Sequence, residues 1–346
     1  MTMTDEAAPA TGRGAAIFGL AGPELLPAER DFFREYDPFG FILFARNVGS
    51  PEQLSRLTAD LRAAVGREAP VLVDQEGGRV QRLRAPHWRE WQPPFDLIAG
   101  MADPALAARA MYLQARLIAA ELRASGIDSN CAPVADIARA ETHPFLRNRC
   151  YGEEAGLVTQ IAAAVARGYL DGGVLPVIKH MPGHGRSGMD THHELPVVTA
   201  APEALLAGDF APFRALNQLP MAMTAHIIFS AYDAQNPATQ SPGMIRVIRE
   251  EIGFAGLLMT DDLNMEALSG DLGQRTRASL AAGCDIALHC KGDFAQMQQV
   301  AAAAGEMGAA SLARARAALA QRLQPPAADL AAFSDEFAAL SAGGRL

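Results

Sequence analysis

Cysteine is scarce in this 346-residue chain, and none of the four cysteines belongs to a Cys-x-x-Cys pair. So sparse a set excludes a disulfide framework and a zinc ribbon, and it favours a reducing compartment. The sequence also lacks a basic and apolar signal segment at its start, and it lacks an apolar run long enough to cross a membrane. We therefore expect a cytoplasmic protein with a flexible N-terminus over residues 1–14.

Basic residues are also few, since 30 lysines and arginines stand against 39 acidic residues and give a formal net charge of −9. There is no basic run and no interleaving of basic with aromatic residues, which excludes nucleic acid and anionic membrane surfaces as expected partners. A small neutral or weakly charged ligand is expected instead. Linkers rich in proline, glycine and serine are missing too, as are internal repeats, and this favours one domain over two.

Short apolar runs alternate with alanine-rich segments of helical period, which is typical of β-α units repeated around a parallel sheet. We predict eight strands, at residues 15–20, 40–44, 70–74, 129–134, 174–179, 220–226, 257–261 and 285–289. Eight such units predict an α/β fold, a single (β/α)8 TIM-type barrel over residues 15–346. A short helix is expected after the proline pair at 325–326.

An open doubly wound sheet is the alternative topology. It gathers polar residues only at its switch point, whereas a barrel gathers the carboxyl ends of all its strands around one mouth. The barrel therefore predicts that six polar residues near strand ends converge: Asp74, Asp136, Lys179, His180, His226 and Asp261. Between strands, the helix expected from Leu106 onward carries an apolar stripe that includes Leu106 and Leu113 and leaves Arg116 off it.

Four of the eight histidines fall within fourteen residues, directly after the apolar run 174–178. This loop also holds several glycines and one carboxylate, Asp190, so ionisable groups lie where packing alone would not favour them. An imidazole titrates near neutral pH and a neighbouring carboxylate can orient it, which makes Asp190 and His192 candidates for general acid/base catalysis. Lys179 and His180 can donate to substrate oxygens, or form an internal salt link and a buried core histidine. His184 is expected to brace the loop.

Two further carboxylates stand at strand ends. Asp261 closes the strand 257–261 and is followed by Asp262, so one of them can cap the next helix while the other acts as a nucleophile. Asp74 opens a loop with a glycine pair and Arg82. These residues by themselves fit a structural ion pair and a ligand-binding loop about equally.

The string Lys179-His180-Met-Pro-Gly-His-Gly, followed after four residues by Asp190-Thr-His192, resembles a family signature. It is similar to Lys-His-Phe-Pro-Gly-His-Gly-x4-Asp-Ser-His of the β-N-acetylglucosaminidases of glycoside hydrolase family 3, of the NagZ type. The resemblance also takes in residues 41–47, 74–82, 149–152, 223–226 and 260–265. Three positions differ or add to the pattern: Met181 replaces phenylalanine, Thr191 replaces serine, and His193 adds an imidazole.

The resemblance implies a β-N-acetylhexosaminidase that removes non-reducing terminal β-linked N-acetylglucosamine from cell-wall muropeptides during peptidoglycan recycling. It implies a retaining reaction through a covalent glycosyl-enzyme intermediate, with Asp261 as nucleophile and Asp190 and His192 as the acid/base dyad. The residues that it assigns to the sugar hydroxyls are Asp74, Arg82, Arg149, Lys179 and His180. The choice of Arg149 over Arg147 rests on the Arg-x-Tyr-Gly spacing. It implies no metal and no other cofactor, and we expect a monomer that acts on a sugar or muropeptide.

Three other interpretations compete. In a metal-dependent barrel hydrolase, His180, His184, His192 and an aspartate would bind zinc, although barrel zinc sites usually draw ligands from several strands. A β-glucosidase of the same family typically has a second domain, for which this chain is expected to be too short. A sugar-binding scaffold without turnover is disfavoured because every expected catalytic group is present. For the hydrolase, we hypothesise that the loop 183–193 closes over bound sugar.

Overall fold

The computed structural model describes residues 10–189 and 194–343, and its centre is a closed barrel of parallel strands. The strands are β1 (Gly14–Gly19), β2 (Pro38–Leu43), β3 (Val71–Val73), β4 (Gln75–Gly77), β5 (Val80–Gln81), β6 (Ser129–Asn130), β7 (Leu175–Met181), β8 (Val197–Val198), β9 (Met221–Thr224), β10 (Ile228–Phe229), β11 (Leu257–Asp262) and β12 (Ile286–His289). Around the barrel the order is β1, β2, β3, β6, β7, β9, β11 and β12, and β12 pairs again with β1. Each predicted strand overlaps one of these eight, so the predicted (β/α)8 barrel is confirmed.

The other short strands extend the barrel mouth: β4 and β5 form a hairpin directly after β3, and β8 pairs with β10. The helices are α1 (Pro27–Tyr36), α2 (Pro51–Val65), α3 (Pro94–Ala99), α4 (Pro104–Ala124), α5 (Pro144–Arg147), α6 (Ala155–Asp171), α7 (Pro202–Ala207), α8 (Ala211–Ala215), α9 (Pro242–Arg246), α10 (Leu272–Ala282), α11 (Phe294–Ala304), α12 (Ala309–Ala320) and α13 (Leu330–Gly343). Short 3₁₀ turns lie at Ala45–Asn47 and Ala238–Gln240, and a π-helical turn, Val247–Glu251, continues α9.

Local sequence explains where several helices begin. Proline occupies the first helical position, where its missing N–H costs nothing, in α2, α4 and α9. The preceding side chain of Ser50, Asp103 or Ser241 accepts a hydrogen bond from a backbone N–H of the first turn in each case.

The hydrophobic core has two parts. Inside the barrel, side chains such as Ile17, Leu72 and Met259 fill the interior, and Ala315 and Leu319 of α12 join them at the N-terminal end. A larger cluster lies between the barrel and the surrounding helices. The barrel is therefore filled below its mouth, which leaves the carboxyl ends of the strands as the open face. No helix within residues 10–189 and 194–343 has the length and apolar composition needed to span a bilayer.

Two sequence-based expectations need correction. Strand β6 ends at Asn130 rather than at 134, because Pro133 has no N–H to donate to a regular ladder. In α4, Leu106 is exposed while Arg116 is buried. Arg116 is buried because α13 packs on this face of α4, and its Phe333 ring lies 5.3 Å from the guanidinium.

Candidate active site

The carboxyl ends of the barrel strands surround a cavity of about 270 Å³. Six of the eight predicted site residues line it: Asp74, Arg82, Arg149, Lys179, His180 and Asp261. The other two, Asp190 and His192, lie outside the described residues. Asp136 and His226, which were also expected to converge here, are fully buried behind the cavity wall.

One wall of the cavity is a cluster of ion pairs built from β3, β4, β7 and the segment after α5. The Lys179 Nζ lies 2.8 Å from Asp74 Oδ1 and 2.6 Å from Glu76 Oε1. Arg149 donates two hydrogen bonds to the Glu76 carboxylate, of 2.8 and 2.7 Å, and Arg82 donates one of 2.9 Å to Asp74. The two carboxylates and three cations therefore hold one another in fixed positions.

Electrostatics keep this wall ionised. Burial by itself would raise the pKa of Asp74 and of Glu76, but the adjacent cations outweigh burial. Lys179 and Arg82 hold the pKa of Asp74 well below its usual range, and Arg149 and Lys179 lower that of Glu76 to about 2. Burial opposes the charge on Lys179 as well, yet the two carboxylates raise its pKa. The wall thus presents charged donors and acceptors, which suit the hydroxyl groups of a sugar.

Glu76 is the residue of this wall that sequence reasoning missed. It stands in the hairpin strand β4 and is 4% exposed, so it is buried between its cations. Its partner Arg149 is 73 residues away in the sequence, and no local pattern links the two. The structure places Arg149 on the cavity wall, whereas Arg147 donates to the Arg139 carbonyl and pairs with Glu153.

His180 is oriented from behind by a buried carboxylate. Its Nδ1 lies 2.7 Å from Asp136 Oδ2, and the backbone N–H of His184 donates a 2.7 Å hydrogen bond to Asp136 Oδ1. Burial would raise the pKa of Asp136, but the interaction with His180 lowers it, so Asp136 accepts and Nδ1 carries the proton. One carboxylate therefore fixes both the imidazole at the cavity and the first part of the loop that follows β7.

Asp261 differs from the carboxylates of the opposite wall. It lies near the end of β11, and its Oδ1 accepts a 2.8 Å hydrogen bond from the Asp262 N–H. Within the part of the chain that the structure describes, no lysine or arginine forms an ion pair with it. Burial would raise the pKa of Asp261, but interactions with His180 and His226 hold it below its usual range. Among the described residues, Asp261 is therefore an ionised carboxylate without a lysine or arginine as ion-pair partner.

The two adjacent aspartates have separate roles. Asp262 Oδ1 accepts hydrogen bonds from the backbone N–H groups of Asn264 and Cys290, each of 3.1 Å. Burial raises the pKa of Asp262 to about 6. Both aspartates line the cavity, but the Asp262 carboxylate fastens the turn after β11, as a capping residue would, which leaves Asp261 for chemistry.

The described half of the loop after β7 is closely packed. A side chain at Gly185 would meet the Ile137 carbonyl oxygen at 1.9 Å. Arg186 donates a 2.7 Å hydrogen bond to the buried carboxylate of Asp209, which also accepts two from Arg139. The hypothesised closure of 183–193 stays a prediction, and movement of residues 185–186 would break these contacts.

The ligands of the alternative zinc site do not assemble in the described parts of the chain. Within residues 10–189 and 194–343, no three His, Cys, Asp or Glu side chains are grouped so that they could share a metal ion. His180 is hydrogen-bonded to Asp136, and the ring of His184 packs edge-on against the ring of His180. The third proposed ligand, His192, lies outside the described residues.

Comparison with known proteins points to one family. The model of the glycosyl hydrolase family 3 N terminal domain matches residues 28–323. A beta-hexosaminidase of Alkalilimnicola ehrlichii is 40% identical over 284 residues, which cover 80% of this chain and 80% of the relative. The structure of NagZ from Neisseria gonorrhoeae in complex with N-trifluoroacetyl-D-glucosamine superposes with a TM-score of 0.85 at 28% identity, covering 98% of this chain and 100% of that one.

A larger relative shows that this barrel also occurs within longer chains. The glycoside hydrolase family 3 beta-N-acetylglucosaminidase from Paenibacillus sp. str. FPU-7 superposes with a TM-score of 0.82 at 31% identity and covers 91% of this chain. This chain spans only 62% of that protein's length. On the family match, the sequence identity and the shared barrel, this chain belongs to glycosyl hydrolase family 3.

Proposed function

We propose that this protein is a retaining exo-β-N-acetylglucosaminidase whose nucleophile is Asp261. Its family and its beta-hexosaminidase relatives support a glycoside hydrolase of the β-N-acetylhexosaminidase type. The observation that carries the assignment is the contrast among the cavity carboxylates. Asp74 and Glu76 are bound by cations, whereas Asp261 is ionised and pairs with no cation among the described residues. Asp261 thus has a lone pair free for attack on an anomeric carbon.

The reaction has two steps. Asp261 attacks the anomeric carbon, the glycosidic C–O bond breaks, and the departing oxygen takes a proton from His192, with Asp190 as its carboxylate partner. Neutral His192 then removes a proton from water, which attacks the anomeric carbon and releases Asp261 with retention of configuration. Most retaining glycosidases use a second carboxylate as the acid. Among the other described acids at the cavity, Asp74 and Glu76 are bound by cations and Asp262 accepts two backbone N–H groups, which favours a histidine from the loop.

The binding wall supports an exo mode of action. We assign Asp74, Arg82, Arg149, Lys179 and His180 to the hydroxyl groups of the terminal sugar. The cavity volume of about 270 Å³ lies just below the range for ligand pockets, about 300–1,000 Å³. A cavity of this size at a filled barrel suits one sugar residue, with the remainder of the substrate outside.

For the physiological substrate we propose cell-wall muropeptides, hydrolysed in the cytoplasm during peptidoglycan recycling. The four cysteines are all buried and unpaired, which suits a reducing compartment. The substrate is tested by comparing kcat/KM for N-acetylglucosaminyl-anhydromuramyl peptides with kcat/KM for chitobiose. A clear preference for chitobiose would contradict the muropeptide assignment.

The catalytic assignment is tested with an aryl β-N-acetylglucosaminide in the presence of a chelator. We expect the wild type to release the aryl alcohol, Asp261→Ala to release almost none, and the exposed-site control Glu336→Gln to match the wild type. A slowly turned-over fluorinated N-acetylglucosaminide should add one glycosyl mass to the wild type and none to Asp261→Ala. A folded wild type that turns over only without chelator would instead support the metal-dependent hydrolase.

A further inference from the structure

His226 is a fully buried histidine next to the nucleophile, and the proposed reaction does not use it. It follows β9, which neighbours β11 in the barrel. Its Nε2 lies 3.1 Å from the carbonyl oxygen of Asp262, and its Nδ1 lies 2.8 Å from Thr239 Oγ1. It does not line the cavity, so its contacts are with the protein that carries Asp261.

The protonation state of His226 follows from its neighbours. A carbonyl oxygen only accepts, so Nε2 carries the proton that binds Asp262. Thr239 Oγ1 has one proton and three possible acceptors, which are His226 Nδ1 at 2.8 Å, the Ala225 carbonyl at 3.0 Å and Thr224 Oγ1 at 2.8 Å. Burial lowers the pKa of His226, which favours the neutral ring with Thr239 donating to Nδ1. Thr239 then fixes the tautomer in which Nε2 is the donor.

Residue 262 is held at three points, and His226 supplies one of them. Its N–H binds the Asp261 carboxylate, and its own carboxylate binds the N–H groups of Asn264 and Cys290. Its carbonyl is held by His226. Because the Asp262 N–H is the hydrogen-bond donor recorded for Asp261, the direction of the nucleophile depends on how firmly residue 262 is fixed.

We propose that His226, oriented by Thr239, is a positioning residue that holds residue 262 so that the Asp261 carboxylate is aimed into the cavity. The inference rests on the proposed function, since it takes Asp261 as the nucleophile. A displacement of about 1 Å at a reacting group is enough to cost about 100-fold in rate. Such a loss appears in kcat, because the sugar-binding wall on the opposite side of the cavity is untouched.

Two variants of His226 distinguish the effect of losing the Nε2 donor from the effect of changing the size of the side chain. In His226→Gln the side-chain amide reaches the position of Nε2 and keeps a donor for the Asp262 carbonyl. In His226→Asn the amide ends near the position of Nδ1 and the donor is lost. We expect Asn to lower kcat about 100-fold and Gln to lower it less than about tenfold. Both should bind N-acetylglucosamine within about twofold of the wild type by calorimetry.

Thr239 supplies a second, independent pair of variants. Thr239→Val removes the hydroxyl at nearly constant volume, and Thr239→Ser keeps it. We expect Val to lower kcat by about fivefold, since one net hydrogen bond of about 1 kcal/mol is lost, and Ser to restore it. If thermal denaturation shows that the His226 variants do not fold, the Thr239 pair tests the positioning role of His226 by itself.

Equal losses in the Asn and Gln variants, or in the Val and Ser variants, would overturn the inference, because a role in packing alone predicts no rescue by the donor. A loss confined to sugar affinity would overturn it as well. These results require an active wild type. A wild type that neither binds N-acetylglucosamine nor cleaves the aryl glycoside contradicts the proposed function itself, and the positioning role with it.

Discussion

Carboxylates lie at both ends of this barrel, and they differ in the number of groups that bind them. At the N-terminal end, Asp285 accepts hydrogen bonds from the Leu258 N–H at 2.9 Å, Ser311 at 2.7 Å, Arg249 at 2.7 Å and Arg314 at 2.8 Å. At the mouth, Asp261 accepts one from the described residues, the N–H of its neighbour Asp262. Both residues lie at strand ends, so their positions in the fold are similar. They differ in that Asp285 is bound by several groups and Asp261 is not.

A second carboxylate at the N-terminal end, Asp128, also accepts hydrogen bonds from several groups. Asp128 accepts from the Val71 N–H at 2.8 Å, from Arg62 at 2.9 Å and from Arg322 at 2.7 Å. In both cases one carboxylate joins a neighbouring strand to two arginines from surrounding segments. A carboxylate whose lone pairs are all engaged stabilises the fold, whereas one with free lone pairs can react. We therefore expect substitutions of carboxylates at the N-terminal end to lower stability, and substitution of Asp261 at the mouth to lower activity.

The largest effect is expected for Asp261→Ala, which removes the nucleophile. We expect kcat for the aryl glycoside to fall by about 10⁴-fold or more, as removal of a covalent nucleophile does in other enzymes. The free energy of unfolding should change by about 1 kcal/mol or less, because one hydrogen bond is lost. Urea denaturation and initial rates on the same sample test both parts. A variant that unfolds easily but is active while folded would place Asp261 with the structural carboxylates.

Asp285→Ala is the converse experiment at the N-terminal end. It leaves Arg249 and Arg314 without their carboxylate, and breaking a buried ion pair in this way costs about 3–5 kcal/mol. We expect the urea midpoint to fall accordingly, while kcat/KM per folded molecule stays within about twofold of the wild type. Loss of activity without loss of stability would show that the two ends are not independent.

Glu76→Gln tests the ion-pair wall at the mouth, where a carboxylate is bound by several cations and also supports residues that line the cavity. It removes one negative charge between Lys179 and Arg149, so the two cations lose a shared partner and repel each other. We expect kcat/KM to fall on the order of 100-fold, mainly through KM, because the groups that hold the sugar shift. The exposed pair formed by Glu336 and Arg109 is the matched control, and Glu336→Gln should change nothing measurable. Equal kcat/KM for Glu76→Gln and the wild type would make the cluster a stabilising one only.

The barrel was predictable from the sequence because it follows from short-range pattern. Apolar runs at regular spacing mark the eight strands, and a barrel brings their carboxyl ends together whatever the loops contain. The pattern was less informative about strand ends. After β6, the carbonyls of Ala132 and Pro133 accept from the Val177 and Lys179 N–H groups, but Pro133 returns no donor and the regular ladder stops.

The pair of Asp74 with Arg82, eight residues apart, was one of two alternatives that the sequence left open. The longer-range ion pairs were not predictable, since each joins residues that are distant in sequence. Nothing near Glu76 indicates Arg149, and nothing near Asp285 indicates Arg249 or Arg314. Family resemblance pointed to Asp74, Arg82 and Lys179 as sugar ligands, because the resemblance takes in the stretch 74–82 and the signature that begins at Lys179. It did not mark His226 as a support for Asp261, since that role depends on a carbonyl contact across two strands. The acid/base assignment to Asp190 and His192 stays a prediction.

The smallest expected effect concerns a buried histidine near the mouth. His289 is fully buried behind the cavity wall, its ring edge-on to Phe18 at 6.3 Å, and neither ring nitrogen has a hydrogen-bond partner among the described residues. Burial lowers the pKa of His289 to about 4. The unfolded chain, with a histidine pKa of about 6.5, therefore takes up the proton first as the pH falls.

Stability from a neutral His289 is accordingly complete above about pH 6.5 and is lost as the pH falls towards 4, by about 2 kcal/mol at pH 5. His289→Met has similar bulk and cannot titrate, so its free energy of unfolding should fall less between pH 7 and pH 5, as measured by urea denaturation. His184, whose pKa burial also lowers to about 4, still titrates in the variant, so part of the slope remains. If the free energy of unfolding of the variant falls with pH as steeply as that of the wild type, His289 does not contribute to the loss of stability at low pH. The contrast between bound and unbound groups would then apply only to the carboxylates.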